Sequence, residues 1–121
     1  MNRTFRNAIS VAAVLLLCIG ASAQVRETTY YDDGSYYTGQ RDAKGRRHGD
    51  GLMVFANGDR YEGNFVQNHL SGYGKMKYGD GSSYEGNWYK DMYEGEGTYI
   101  SADGEVIKGR FHEGQLIEQN E

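Results

Sequence analysis

The chain has 121 residues, with 13 Lys and Arg against 17 Asp and Glu, for a net charge of −4. That balance argues against a nucleic-acid binder, whose affinity rests on neutralising phosphates with Lys and Arg. A single cysteine excludes a disulfide-built scaffold, while 18 glycines and no proline accompany 11 tyrosines in a regular spacing that points to ordered structure rather than a disordered glycine-rich chain.

In chain order, the first segment reads as an export signal. Arg3 and Arg6 form a positive n-region, Ile9 to Ile19 is an apolar run of eleven residues, and Ala21-Ser22-Ala23 supplies a small-residue cleavage pattern. The run is shorter than the ~20 residues of a spanning helix. Cleavage after Ala23 leaves Gln24 to Glu121, 98 residues, and removing Arg3 and Arg6 takes the net charge from −4 to −6. Cys18, the one cysteine, leaves with the signal, so packing alone must stabilise an exported, periplasmic or secreted chain. Residues 24–29 read as a polar linker and 118–121 as a charged tail.

Between them the sequence repeats. Tyr37-Thr38-Gly39, Tyr61-Glu62-Gly63, Tyr84-Glu85-Gly86 and a degenerate Ile107-Lys108-Gly109 begin units near 37–60, 61–83 and 84–106 and a partial unit 107–117, at steps of 24, 23 and 23 residues. A period of this size signals a stacked array in which each unit contacts its neighbours. Within a unit the first strand alternates, with Tyr84, Gly86 and Trp88 on one face and Glu85 and Asn87 on the other. Tyr61, Gly63 and Phe65 repeat that face, as do Ile107, Gly109 and Phe111. Lys44-Gly45, Gln67-Asn68, Lys90-Asp91 and Glu113-Gly114 follow as hairpin turns, since Gly, Asn and Asp tolerate positive φ. Gly45 falls into line only through one extra residue in the first repeat.

The returning strand runs through a Gly-x-Gly pair (Gly49/Gly51, Gly72/Gly74, Gly95/Gly97), and alternation puts Gly72, Gly74, Met76 and Tyr78 on one face. Asn57-Gly58, Asp80-Gly81 and Asp103-Gly104 then turn the chain into the next unit. Thr28 to Tyr31 with Asp32-Asp33-Gly34 matches the second strand of a missing earlier unit. The predicted fold is all-β: an elongated, twisted antiparallel meander of stacked hairpins with one aromatic face.

These residues resemble a known family. Tyr61-Glu62-Gly63-Asn64-Phe65 and Tyr84-Glu85-Gly86-Asn87-Trp88, each followed by Gly-x-Gly and a glycine turn, are similar to MORN (membrane occupation and recognition nexus) repeats, over about Tyr30 to Gln115. Arg41 departs from the pattern at an aromatic position, Ile107 at a leading tyrosine, and Asn68 and Asp91 where the family favours Gly. The resemblance implies a sheet of consecutive hairpins with an aromatic-lined groove, and roles in scaffolding, dimerisation or attachment at membranes.

The candidate sites follow. Tyr37, Tyr61, Phe65, Tyr84, Trp88 and Tyr78 share the aromatic face, either as core alone or as a groove for a protein partner or a second copy. Lys44, Arg46 and Arg47 are the alternative, a headgroup site for anionic lipid, although acidic Asp42 and Asp50 lie beside them. Glu62 and Glu85 stand two strands apart, about 10 Å at ~4.8 Å per strand, on a polar face with no cleft to raise a pKa. His48, His69 and His112 fall at different offsets in the repeat and form no metal-ligand spacing. The sequence therefore reads as a non-enzymatic interaction module without cofactor or metal.

Overall fold

The computed structural model describes residues 26–121; the apolar segment read as an export signal lies outside them. The described residues form nine strands: β1 (Glu27–Tyr30), β2 (Tyr36–Arg41), β3 (Arg47–Val54), β4 (Arg60–Val66), β5 (His69–Lys77), β6 (Ser83–Tyr89), β7 (Met92–Ile100), β8 (Val106–His112) and β9 (Gln115–Gln119). They lie in one antiparallel sheet in sequence order, without crossover. This is the predicted meander. Glu27 to Thr29, read from sequence as linker, pair with β2, and Glu118 and Gln119, read as tail, pair with β8.

Two kinds of connection alternate. Between units, five-residue loops close with one hydrogen bond from first to last residue: Phe55 N–H donates to Asp59 O at 2.8 Å and Tyr78 N–H to Ser82 O at 2.9 Å. A side-chain oxygen at the third position rigidifies these loops, that of Asn57 in the first, which accepts from Asp59 N–H at 3.0 Å. Asp80 Oδ1 accepts from Ser82 N–H at 2.9 Å and from its hydroxyl at 2.6 Å, and Asp33 does the same for Ser35. Within units, Gln67-Asn68, Lys90-Asp91 and Glu113-Gly114 are two-residue turns with both residues at positive φ (48° and 75° in the first). That is the hairpin geometry whose twist matches the flanking strands. Lys44-Gly45 differs from the prediction. It lies in a five-residue loop closed by Asp42 N–H to Arg46 O at 3.0 Å, and this wider loop accommodates the extra residue of the first repeat.

The Gly-x-Gly pairs also do something that alternation alone does not predict. In register, Gly86 faces Gly97 and Trp88 faces Tyr93, so β7 spends two residues more than β6 over that stretch. The excess is a bulge, with Gly95 at φ +78°, and Gly72 at φ +102° marks the same shift in β5. A Cβ at Gly72 would meet Asn64 rather than a ring, and because the excess is two residues the strand beyond the bulge keeps its phase. Leu70 is therefore buried on the same face as Gly74 and Met76, and Tyr93, on the face of Gly97 and Tyr99, packs against the core.

The second glycine has a different task. Gly39, Gly51, Gly63, Gly74, Gly86, Gly97 and Gly109 are paired in succession across seven strands. Tyrosine rings lie flat on this glycine ladder: a Cβ built at Gly74 or Gly97 would fall inside the ring and hydroxyl of Tyr61 or Tyr84. Each ring is pinned by its hydroxyl, which donates to the carbonyl three residues on, Tyr61 to Asn64 O at 2.8 Å and Tyr84 to Asn87 O at 3.0 Å. The core of this single sheet is the layer of rings laid over the glycines.

Candidate functional site

The ring layer is continuous. Tyr61 sits between the edges of Phe65 of its own unit (5.2 Å between centroids) and Trp88 of the next (5.4 Å), both near perpendicular. Tyr84 sits in the same way between Trp88 and Phe111, at 5.2 and 5.3 Å. Tyr37 meets Phe65 at 5.1 Å. On the side of its own unit, where the aromatic would stand, Arg41 lays its guanidinium over the ring at 4.9 Å. Edge-to-face pairs are favoured by the ring quadrupole and contribute ~0.5–1.5 kcal/mol each beyond burial. The indole N–H of Trp88 donates to Gly74 O at 3.1 Å, tying one unit to the previous one.

Of the six aromatics singled out in the sequence, five form this floor. Tyr37, Tyr61 and Tyr84 are fully buried, and Phe65 and Trp88 retain 2% and 5% of their surface. Little of them is left for a partner to touch. Tyr78 is half-buried, and with Tyr31, Phe55, Tyr93 and Tyr99 it packs on the floor as a second tier. Above Phe65, Met76 and Trp88 lies a groove of about 380 Å³, bordered by Phe55, Tyr78 and Arg47. Two of its rim residues, Tyr78 and Arg47, were singled out in the sequence, and Phe55 was not. Tyr93 went unsingled. It stacks on Tyr84 at 3.8 Å with planes 4° apart, and its hydroxyl meets that of Tyr78 at 2.5 Å. Burial raises the pKa of Tyr61 and Tyr93 above the ordinary range and pushes that of Tyr84 up to about 12. The signal for Tyr93 was the period itself, since positions 47, 70, 93 and 116 recur at 23 residues.

The basic residues do not share a face. Lys44 is exposed in its loop. Arg46 is held by Asp42, Nε to Oδ2 at 2.7 Å. Arg47 turns to the aromatic face and lies over the Phe65 ring at 5.9 Å. The opposite face of the sheet carries Glu62, Lys75 and Glu85 side by side in register, so Lys75 stands between the two carboxylates. Glu85 accepts from the Tyr73 hydroxyl at 2.9 Å. Two histidines serve a turn of the next unit, His48 Nδ1 accepting from Gln67 N–H (3.2 Å) and His69 pairing with Asp91 (2.7 Å), while His112 pairs with Glu94 in β7 (3.0 Å).

A one-layer array of hairpins, welded by rings over a glycine ladder and open to solvent along a groove, defines a repeat module that presents a surface. The MORN repeat matches at residues 43–60, 61–83 and 84–106, and the chain belongs to the MORN-repeat family. MORN repeats generally mediate protein or membrane interactions. A search of curated proteins gave no match.

Proposed function

We propose that this chain is an exported, non-enzymatic protein-interaction module that receives its partner in the groove bordered by Phe55 and Tyr78. The observation that carries this reading is the apolar groove of about 380 Å³ over a ring layer already buried by its own packing. Such a floor is rigid before the partner arrives, and preorganised apolar concavities bind with little ordering cost. Catalysis finds less support: Glu62 and Glu85 lie on the exposed face with Lys75 between them rather than in a cleft.

The rival, anionic-lipid binding through Lys44, Arg46 and Arg47, is weakened because Arg46 is neutralised by Asp42 and Arg47 faces the rings. Headgroup attraction needs several free charges on one surface. The deciding experiment compares the wild type with Phe55→Asp/Tyr78→Asp in the exported fraction by quantitative crosslinking. Circular dichroism confirms the fold of each. The reading requires proteins crosslinked by the wild type and lost with the rim variant. Equal crosslinking, together with salt-sensitive flotation on anionic vesicles, would replace it with the lipid reading.

A further inference from the structure

In three units the inner face carries an aromatic paired in register with a hydrophobic residue: Phe65 with Leu70, Trp88 with Tyr93, Phe111 with Leu116. The first unit has Arg41 paired with Arg47 at the same place. Like charges directly opposite on a sheet are destabilising, and here they replace a pair that would weld the stack. Arginine stays protonated throughout the accessible pH range, so neither charge can be shed.

Among the described residues no carboxylate pairs with either arginine, although Glu27 and Asp42 border the same pocket as Arg41. Arg41 donates to Gly45 O at 3.0 Å and Thr29 Oγ1 at 2.5 Å, and Arg47 to Asn68 O at 3.0 Å and the Tyr31 hydroxyl at 3.4 Å. All four acceptors are uncharged. Both Nε–H groups are buried without an acceptor. Among the described residues no carboxylate oxygen lies within 4.0 Å of either guanidinium, although Arg46 next to them has Asp42 at 2.7 Å. Asp91 borders the same groove, but its two oxygens are engaged by Leu70 N–H (2.8 Å) and His69 (2.7 Å). Each guanidinium stands over a ring, Arg41 over Tyr37 at 4.9 Å and Arg47 over Phe65 at 5.9 Å, and each is held by its two hydrogen bonds. The planar guanidinium fork has the geometry that matches a carboxylate.

We infer that the groove takes an acidic peptide, with an Asp or Glu carboxylate seated on the Arg41–Arg47 pair and the following apolar side chain in the space bordered by Phe55 and Tyr78. This rests on the groove reading above and adds the chemistry of its partner. Charge complementarity selects the occupant: Arg47 lines the groove itself, so the positive charge is continuous with the apolar floor. A peptide can offer a carboxylate next to a side chain. A membrane would meet outward-facing cations instead, and of the basic cluster only Lys44 is exposed.

The test follows the Arg Nε–H and Met methyl NMR signals of the purified protein during titration with acetyl-Glu-Leu-Tyr-Leu-amide and its Gln counterpart. The expected result is saturable movement of the Arg41 and Arg47 signals with the Glu peptide, and binding about tenfold weaker for the Gln peptide, as a lost charge-assisted pair implies. The variant Arg41→Phe/Arg47→Leu restores the pair of the other units. It should bind both peptides alike and melt no lower than the wild type. Equal affinity of the wild type for both peptides would overturn the inference, as would a lower melting point of the variant, which would make the arginines structural. Movement of the two arginine signals with anionic vesicles and not with peptide would assign the site to lipid phosphate instead. Movement of the Met76 methyl without either arginine signal would overturn the arginine assignment and leave the groove reading standing. If none of the three signals moves, the assignment falls and the groove reading rests on its rim-variant comparison.

Discussion

The tyrosine that opens each unit is useful because the residue across from it is glycine. Tyr61 can lie flat only where Gly74 has no Cβ, and its hydroxyl then reaches Asn64 O at 2.8 Å. Two glycine substitutions separate this close approach from backbone strain. Gly74→Ala should cost ~2–4 kcal/mol, combining overpacking with the lost hydroxyl bond. Gly81→Ala meets nothing within 4 Å but stands at φ +95°, so its cost is only the ~1–2 kcal/mol of a left-handed alanine. Urea unfolding of the two variants checks the order, and a Gly81 variant as unstable as the Gly74 variant would refute it. The same burial has a pH consequence. Desolvation raises the pKa of Tyr61, Tyr84 and Tyr93, with Tyr84 at about 12. The folded state therefore holds phenolic protons that the unfolded chain releases near pH 10. Their contribution to stability is full below about pH 10 and is lost as the pH rises toward the folded values. In an alkaline titration the 295 nm tyrosinate absorbance of these core rings should appear together with loss of the β-sheet circular dichroism signal, as one transition.

At the scale of the element, the positions where the sequence departs from its own period are the ones that join units. Asn68 and Asp91 adopt positive φ, as their residue types allow, and each also caps the preceding unit. Asn68 Oδ1 accepts from Arg47 N–H at 3.0 Å and Asp91 Oδ1 from Leu70 N–H at 2.8 Å. Asp91→Gly keeps the turn and loses the cap, a loss of ~1 kcal/mol, whereas Asp91→Ala adds the ~1–2 kcal/mol strain of the turn. Thermal melts of both variants should fall in that order. The last hairpin has an ionic counterpart. Glu94 accepts from His112 and so raises the imidazole pKa, while its own carboxyl is lowered by His112. The stabilisation from the histidine is present below its ordinary pKa of ~6.5 and fades as the pH rises through the raised value. An NMR titration should find the His112 pKa dropping toward ~6.5 in Glu94→Gln. Alternation and turn chemistry made the strands, the hairpins and the face shared by Tyr84 and Trp88 legible in the sequence. The bulges were not legible. A glycine at positive φ and a glycine under a ring look the same in a sequence, so Gly72 was placed with Gly74 on the core face, and the alternation was not carried past the bulge to Leu70 and Tyr93, which keep it. The same limit hid the site. Arg41 and Arg47 are six residues apart and read as a broken repeat and a basic cluster, until register sets them opposite each other.

The whole molecule behaves as a line of units, because every strand packs against its sequence neighbours in the sheet. Such arrays derive their stability from unit and interface terms added along the stack. The interfaces here are nearly interchangeable, which makes the principle testable by deletion. Removing residues 61–83 joins Arg60 to Tyr84, and the new neighbours already carry the required partners. Met53, which faces Tyr61, would face Tyr84, and Gly51, which faces Gly63, would face Gly86, leaving the glycine ladder unbroken. Tyr37 would meet the edge of Trp88 in place of Phe65, and Arg47 N–H would find Asp91 in place of Asn68. The shortened chain should therefore fold into a seven-stranded sheet with a cooperative transition. Its urea m-value should fall by about a quarter, in proportion to the surface no longer exposed on unfolding. It should also have lower stability, having lost one unit and one net interface. A globular core with long-range contacts would not survive such an excision, so an unfolded or molten product would refute the neighbour-only account. The deletion also puts the Asp91 carboxylate where Asn68 Oδ1 now accepts from Arg47 N–H. The backbone carbonyl of Asp91 would meet the Arg47 guanidinium, so a negative charge is placed beside that arginine. If the arginine pair waits for an acidic peptide, this internal carboxylate should weaken the Glu-peptide binding of the shortened chain while its sheet remains intact.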